Sequence, residues 1–213
     1  QLGAKVLSTA ELLASASEDS LTDLEPARIF EAYADHEDVD LPVTQWLRNV
    51  PHDGFVADRF VEYLRENDGV EPDDVDRAIQ SCVIRHWRRL SNETKRHTLR
   101  YLVTVEDTEG IELSNIDSLP NRLGRWKDPS KLVFPDEYNP QYDFETLADA
   151  YPNVFDEHTG GFVDPELIVD DPGVCRELLR DVGVCASTSD QQNIVSTLSG
   201  YVGQAYAAHQ LLN

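Results

Sequence analysis

The chain of 213 residues contains no methionine, only four lysines (Lys5, Lys95, Lys127 and Lys131) and only three cysteines (Cys82, Cys175 and Cys185). An odd cysteine count without a CxxC pair gives no sign of a disulfide framework, and fits a reducing, intracellular-type chain. Cys82 falls on the apolar face of a helix and reads as core, while nothing in the pattern demands that Cys175 and Cys185 pair. The missing methionine, at position 1 as elsewhere, leads to the expectation that the N-terminus is processed, trimmed or incompletely represented. No signal peptide is visible, and no apolar run approaches the roughly 20 residues of a membrane span, so no membrane partner is expected. GxSxG, Walker A, GxGxxG after a strand, HExxH and EF-hand spacings are all missing, which removes the usual signatures of hydrolase, nucleotide and metal chemistry.

What the chain has in abundance is carboxylate: 40 Asp and Glu against 18 Lys and Arg, a net charge of −22. The charge is unevenly spread, with −14 over residues 1–76, +4 over 77–131 and −12 over 132–213. Three Trp, eight Tyr and seven Phe, regularly patterned in a chain that is 40% hydrophobic, argue against disorder. Abundant acid, scarce lysine and a globular apolar fraction resemble the proteins of salt-in halophilic archaea and of their viruses. The resemblance is one of composition alone. It implies a high-salt cytoplasm or a virion as the setting, where a Debye length of about 3 Å at 1 M salt screens the self-repulsion.

The sign changes in one stretch, residues 71–103. It opens with Glu71-Pro72-Asp73-Asp74, a helix start, since proline suits the first helical position and carboxylates the positive end of the dipole. Val75, Ala78, Ile79, Cys82, Val83 and Leu90, with Trp87 close by, trace one buried helical face. Ser91 is placed to cap a second helix around Leu99, Leu102 and Val103. Across the pair stand Arg77, Arg85, Arg88, Arg89, Lys95, Arg96 and Arg100, with Glu93 the one acid among them. Such a cluster suits phosphate contacts, with Trp87 as a stacking surface, and would serve a DNA- or RNA-binding accessory or regulatory protein. Two considerations weigh against it. Phosphate affinity falls steeply with salt, and the arginines have abundant carboxylates to pair with. No helix-turn-helix, zinc-finger or RNP pattern accompanies them.

Elsewhere the pattern is mainly helical. Ser8-Thr9-Ala10-Glu11 is a capping box; Pro26 and Pro42 each start a helix, the first with Ile29, Phe30 and Tyr33 inward, the second with Trp46 and Leu47. Val56, Phe60, Tyr63 and Leu64 mark an amphipathic helix over 55–66. The stretch 111–140, rich in Pro, Asn, Asp and Ser, reads as an ordered connection with a short helix near 120–125, and its Arg122, Arg125, Lys127 and Lys131 extend the basic region in sequence. A short helix over 144–151, an extended stretch over 154–169 turning at Thr159-Gly160-Gly161, and a helix from Pro172 stopped by Gly183 follow. The expected fold is a helical bundle of about seven or eight helices with an irregular or small-β insertion near 111–169. The simplest organisation is one domain over 1–213, divisible into 1–107, 108–170 and 171–213.

The last segment begins with a second capping box, Ser189-Asp190-Gln191-Gln192. From Gln191 to Asn213 there are 23 residues without Asp, Glu, Lys or Arg, in a chain that is 27% charged. Ile194, Leu198, Tyr201, Ala205, Ala208 and Leu212 follow the four-and-three spacing of a packed seam. The seam is either a central helix of the monomer's own core or a subunit interface. Two acid-rich groups offer metal-ligand atoms: Asp35, His36, Glu37, Asp38 and Asp40, and Asp156, Glu157 and His158 with Asp164. In so acidic a chain such runs are ordinary solvated surface, and no metal or cofactor is expected. The leading expectation is a non-catalytic structural or interaction subunit of a homo- or hetero-oligomeric assembly, of which a helical virion connector or adaptor is one form. The nucleic-acid reading comes second and a metal-dependent hydrolase third.

Overall fold

The computed structural model describes residues 25–26, 29–30, 53–66, 75–104, 108, 110–135, 143–168, 172–184 and 188–212. The protein is mainly α, and among the described residues it has seven α-helices and one two-stranded antiparallel sheet. The helices expected to begin at Ser8 and Pro42 lie outside the described residues, as do Asp35 to Asp40 and Cys185. The chain divides into two compact units, Gln1–Asn115 and Ile116–Asn213.

The first unit is built from α1 (Gly54–Glu66), α2 (Val75–Cys82) and α3 (Asn92–Leu102). Helix α1 buries Val56, Ala57, Phe60 and Val61 and exposes Asp58, Glu62 and Glu66, the division expected of an amphipathic helix. Phe60 meets Phe30 edge-on, with ring centres 6.0 Å apart. Helix α1 packs against α2, which buries Ala78, Ile79 and Cys82. Buried Gln80 accepts a bond from the Glu112 amide at 2.8 Å, which ties the following loop to α2.

Where a single helix to Leu90 is expected, the pitch changes at Val83 (φ −120°, ψ −66°) and a 3₁₀ turn runs over Ile84–Arg89. Ile84, Trp87 and Leu90, three apart, are all buried. Three residues per turn is the 3₁₀ period, so these side chains stack on one side, where an α-helix would fan them across its surface. Leu90 is extended, and Ser91 caps α3 by accepting from the Thr94 amide at 3.1 Å. Asp53 joins the starts of two helices. One carboxylate oxygen accepts from the Phe55 amide at 2.8 Å, and the other accepts from the Thr94 hydroxyl at 3.2 Å and the Ser91 amide at 3.4 Å. Burial works to raise the Asp53 pKa, but these bonds outweigh it and hold the carboxyl below its usual range.

The second unit contains β1 (Leu119–Pro120), β2 (Trp126–Lys127), α4 (Phe144–Ala150), α5 (Pro152–Val154), α6 (Pro172–Val182) and α7 (Thr188–Leu212). Strands β1 and β2 pair with Leu119 opposite Lys127 and Pro120 opposite Trp126. The segment between them is a tight turn, not the short helix expected there. Helix α5 passes directly into a π-helical turn, Phe155–Thr159, where an extended stretch is expected. Single bridges join Asn121 to Val163 and Val133 to Phe162. Beneath this lattice, Val133, Phe144, Ala148, Phe155, Phe162, Ile194 and Leu198 form one apolar core. Helix α6 ends as its sequence predicts, at Gly183 (φ +117°), where the Gly183 amide bonds to Arg180 O and the Val184 amide to Leu179 O. That pair of bonds is a Schellman motif.

Candidate functional site

The basic stretch of the first unit separates into exposed and buried members. Arg77, Arg85, Arg88, Arg89 and Arg100 are exposed, Arg96 is half-buried and Lys95 is 8% exposed. The 3₁₀ turn that stacks Ile84, Trp87 and Leu90 inward also aligns Arg85 and Arg88, again three apart, on its outer side. Trp87 is 1% exposed and so offers no stacking surface to a base. Its ring instead lies 5.8 Å beneath the Lys95 ammonium. Of the seven cations expected to act together, five present an exposed side chain, and Lys95 serves the interior as a cation–π partner.

His86 lies on the other side of the same turn. Its ring meets Phe55 of α1 edge-on at 5.4 Å. Burial, followed by the charges of Arg59, Arg89 and Arg85, holds its pKa below the ordinary histidine value, with Glu62 opposing. Arg59 in turn pairs with Glu62, one turn along α1. Cys82 is fully buried, and burial pushes its thiol up to about 12, so it is an inert core residue.

In the second unit, the carboxylates considered as metal ligands are engaged by cations and amides. Arg122 Nε donates to both oxygens of Asp156 at 3.0 Å, and its Nη2 donates to Oδ2 at 2.8 Å. The same guanidinium lies 4.9 Å over the Phe162 ring. Asp156 is buried, while Arg122 keeps about a third of its side chain exposed (34%). Arg125 pairs with Glu157 at 3.2 Å, and Lys127 donates to the Glu157 carbonyl at 2.9 Å. Asp164 caps the short Pro165–Leu167 turn through the Glu166 amide. Among the described residues no three His, Cys, Asp or Glu side chains are grouped to hold a metal ion.

Asn121, which the sequence patterns do not single out, organises this centre. It is fully buried, its Oδ1 accepts from the Leu123 and Arg125 amides at 3.0 Å each, and its Nδ2 donates to the Gly160 carbonyl at 2.8 Å and the Asp156 carbonyl at 3.3 Å. The signal that could have found it is Asn121 three residues ahead of Gly124 (φ +73°), a pattern in which the Asn side chain closes a turn on its own backbone. Gly160 (φ +107°) and Gly161 (φ +83°) admit no side chain. A Cβ on the first would meet the Lys131 carbonyl oxygen at 2.4 Å, and one on the second would meet Asp156 Oδ1 at 2.4 Å.

The seam of α7 also divides. Ile194 and Leu198 are each 3% exposed and belong to the apolar core of their own unit. Tyr201 is 40% exposed. The helix continues to Leu212, but the side chains of Ala205, Ala208 and Leu212 lie outside the described residues. Around Tyr201, the exposed residues Ser196, Thr197, Ser199, Gly200 and Gly203 carry no charge. Among the described residues no helix is long and apolar enough to cross a membrane. No protein-family model, curated protein or solved structure matches the chain.

Proposed function

We propose that the protein is a non-catalytic interaction subunit of a multi-subunit assembly working in high salt, with the outer part of α7 as its contact surface. A helical connector or adaptor in a virion is one concrete form. The observation that carries this reading is the contrast along α7. Ile194 and Leu198 anchor its first turns in their own unit, and beyond them the exposed surface around Tyr201 is uncharged in a molecule of net charge −22. Surface that lacks charge where the rest of the chain is densely charged suits burial against a protein partner.

Molar mass by light scattering in about 2–3 M KCl, a concentration that screens the net charge, tests it. The full chain is expected to be a defined oligomer. The full-length Tyr201→Glu and Thr197→Glu variants, which leave Ile194 and Leu198 in place, are both expected to be folded monomers. A monomeric full chain, or variants that keep its mass, would overturn the reading.

The second reading is nucleic-acid binding by the first unit, favoured by the alignment of Arg85 and Arg88 on the outer side of the 3₁₀ turn. It expects duplex binding that weakens steeply with salt. Replacing Arg85, Arg88 and Arg89 by Ala should make the slope shallower, by about one unit for each phosphate no longer neutralised. Binding that three such changes leave untouched would exclude this surface.

A further inference from the structure

We propose that His86 is an acid-sensitive latch on the Ile84–Arg89 turn: when its imidazole takes up a proton, the ring leaves its place against Phe55 and the turn loosens. The proposal rests on where the ring sits. His86 is the one residue of the 3₁₀ turn with distinctly non-helical backbone angles (φ −114°, ψ 17°), so the turn bends at the residue that carries the imidazole. Its ring is clamped edge-on against Phe55, and its Nε2 is buried with no hydrogen-bond partner among the described residues.

The charged groups acting on it are Arg59 and Glu62 from α1 and Arg85 and Arg89 from its own turn. Helix α2, which packs against the turn, carries Asp76 and Arg77 at its opposite end, and the Leu113–Asn115 turn carries no ionisable side chain. Three guanidiniums thus stand against one carboxylate, and that carboxylate already holds Arg59. A neutral ring is tolerated there. An imidazolium adds a further positive charge and a buried N–H that requires an acceptor, and leaving such a donor unmet is costly.

The direction in pH follows. The folded state holds this histidine below its ordinary 6.5, so on acidification the unfolded or opened chain takes the proton first. The stability contributed by neutral His86 is full above the ordinary value. It falls as pH drops through that value, and levels once the folded form is protonated too. The turn carries Arg85, Arg88 and Arg89, so acid would loosen the segment that displays them.

The experiment is an NMR titration of the imidazoles, with amide exchange of His86 and Leu90 at pH about 7.5 and about 5.5, on either side of the histidine range. It is run in the same molar KCl for the wild type and His86→Phe, which keeps a ring against Phe55 but cannot titrate. These two amides report on the turn directly, because they donate to Val83 O at 3.0 Å and to Trp87 O at 3.2 Å. The expected result is a His86 midpoint below 6.5. In the wild type, protection of both amides should fall severalfold in acid, while His86→Phe holds its protection. A His86 midpoint at or above the ordinary value, or equal loss of protection in both proteins, would overturn the proposal. Should His86→Phe not fold, the wild type decides alone, since protection must be lost at the same midpoint at which the ring titrates.

Discussion

At the scale of single residues, the second unit depends on a buried acid with a partly exposed partner. Asp156 is 5% exposed and Arg122 is 34% exposed, and this asymmetry decides which half of the pair can be lost more cheaply. Removing the arginine strands a carboxylate in a protein interior. Neutralising the acid leaves a guanidinium that can turn toward water while its alkyl stem still covers Phe162. Breaking a buried pair by deleting one partner typically costs about 3–5 kcal/mol, and partial exposure lowers that here. Arg122→Ala is therefore expected to destabilise the protein by about 3 kcal/mol, and Asp156→Asn by clearly less. Chemical denaturation of the two variants at one salt concentration checks it. Equal losses would mean that the ion pair itself carries the stability, with no added cost for the stranded carboxylate or for uncovering the Phe162 ring.

The same scale shows what the sequence could and could not disclose. The density of arginine around Arg85 to Arg100 is legible from composition. Its division is not, because Lys95 and Trp87 differ from their neighbours only in which side of a turn they occupy. A lysine one turn into α3 has the aliphatic reach to lie along buried surface, and the Trp87 ring gives its ammonium a favourable place to end.

At the scale of elements, legibility follows the strength of local signals. Helix α1 is readable from its repeat of buried residues, the end of α6 from Gly183, and the body of α7 from its long uninterrupted pattern, although the helix already includes Thr188, ahead of the expected Ser189 cap. The 3₁₀ turn is hidden because Ile84, Trp87 and Leu90 are three apart, and an α-helical repeat of three and four absorbs a run of threes without protest. Pro120 and the charges that follow it suggest a helix over residues 120–125, yet the buried Asn121 side chain satisfies the turn's amides and commits the backbone to a hairpin. Aromatic and β-branched residues around Phe155–Thr159 suggest an extended chain. Burial of Phe155 against Phe144 and Phe162 outweighs that propensity, since the ring centres lie 6.4 and 5.0 Å away. The two glycines that follow then reverse the chain with backbone angles that other residues rarely adopt.

At the scale of the whole molecule, the governing quantity is a net charge of −22, with only the central stretch positive. Ion pairs such as Arg125–Glu157 and Arg59–Glu62 neutralise some carboxylates locally, but 18 cations cannot answer 40 anions. The residual repulsion acts on the folded state more than on the expanded chain, because folding brings the charges closer together. In dilute buffer, where the Debye length is about 30 Å at 0.01 M, that repulsion spans the molecule; at 1 M it is screened within about 3 Å. The melting temperature is therefore expected to rise by on the order of 10 °C between dilute buffer and 2–3 M KCl, a few kcal/mol for a chain of this size. Calorimetry across the salt series measures it, with sodium sulfate at matched ionic strength as a control. Screening alone predicts that KCl acts mainly below about 0.5 M, where the Debye length still changes appreciably. A rise that continues in proportion to salt into the molar range, and is larger in sulfate, would instead identify exclusion of salt from apolar surface as the main source of the stabilisation. An unchanged melting temperature would remove the high-salt setting from the functional reading altogether.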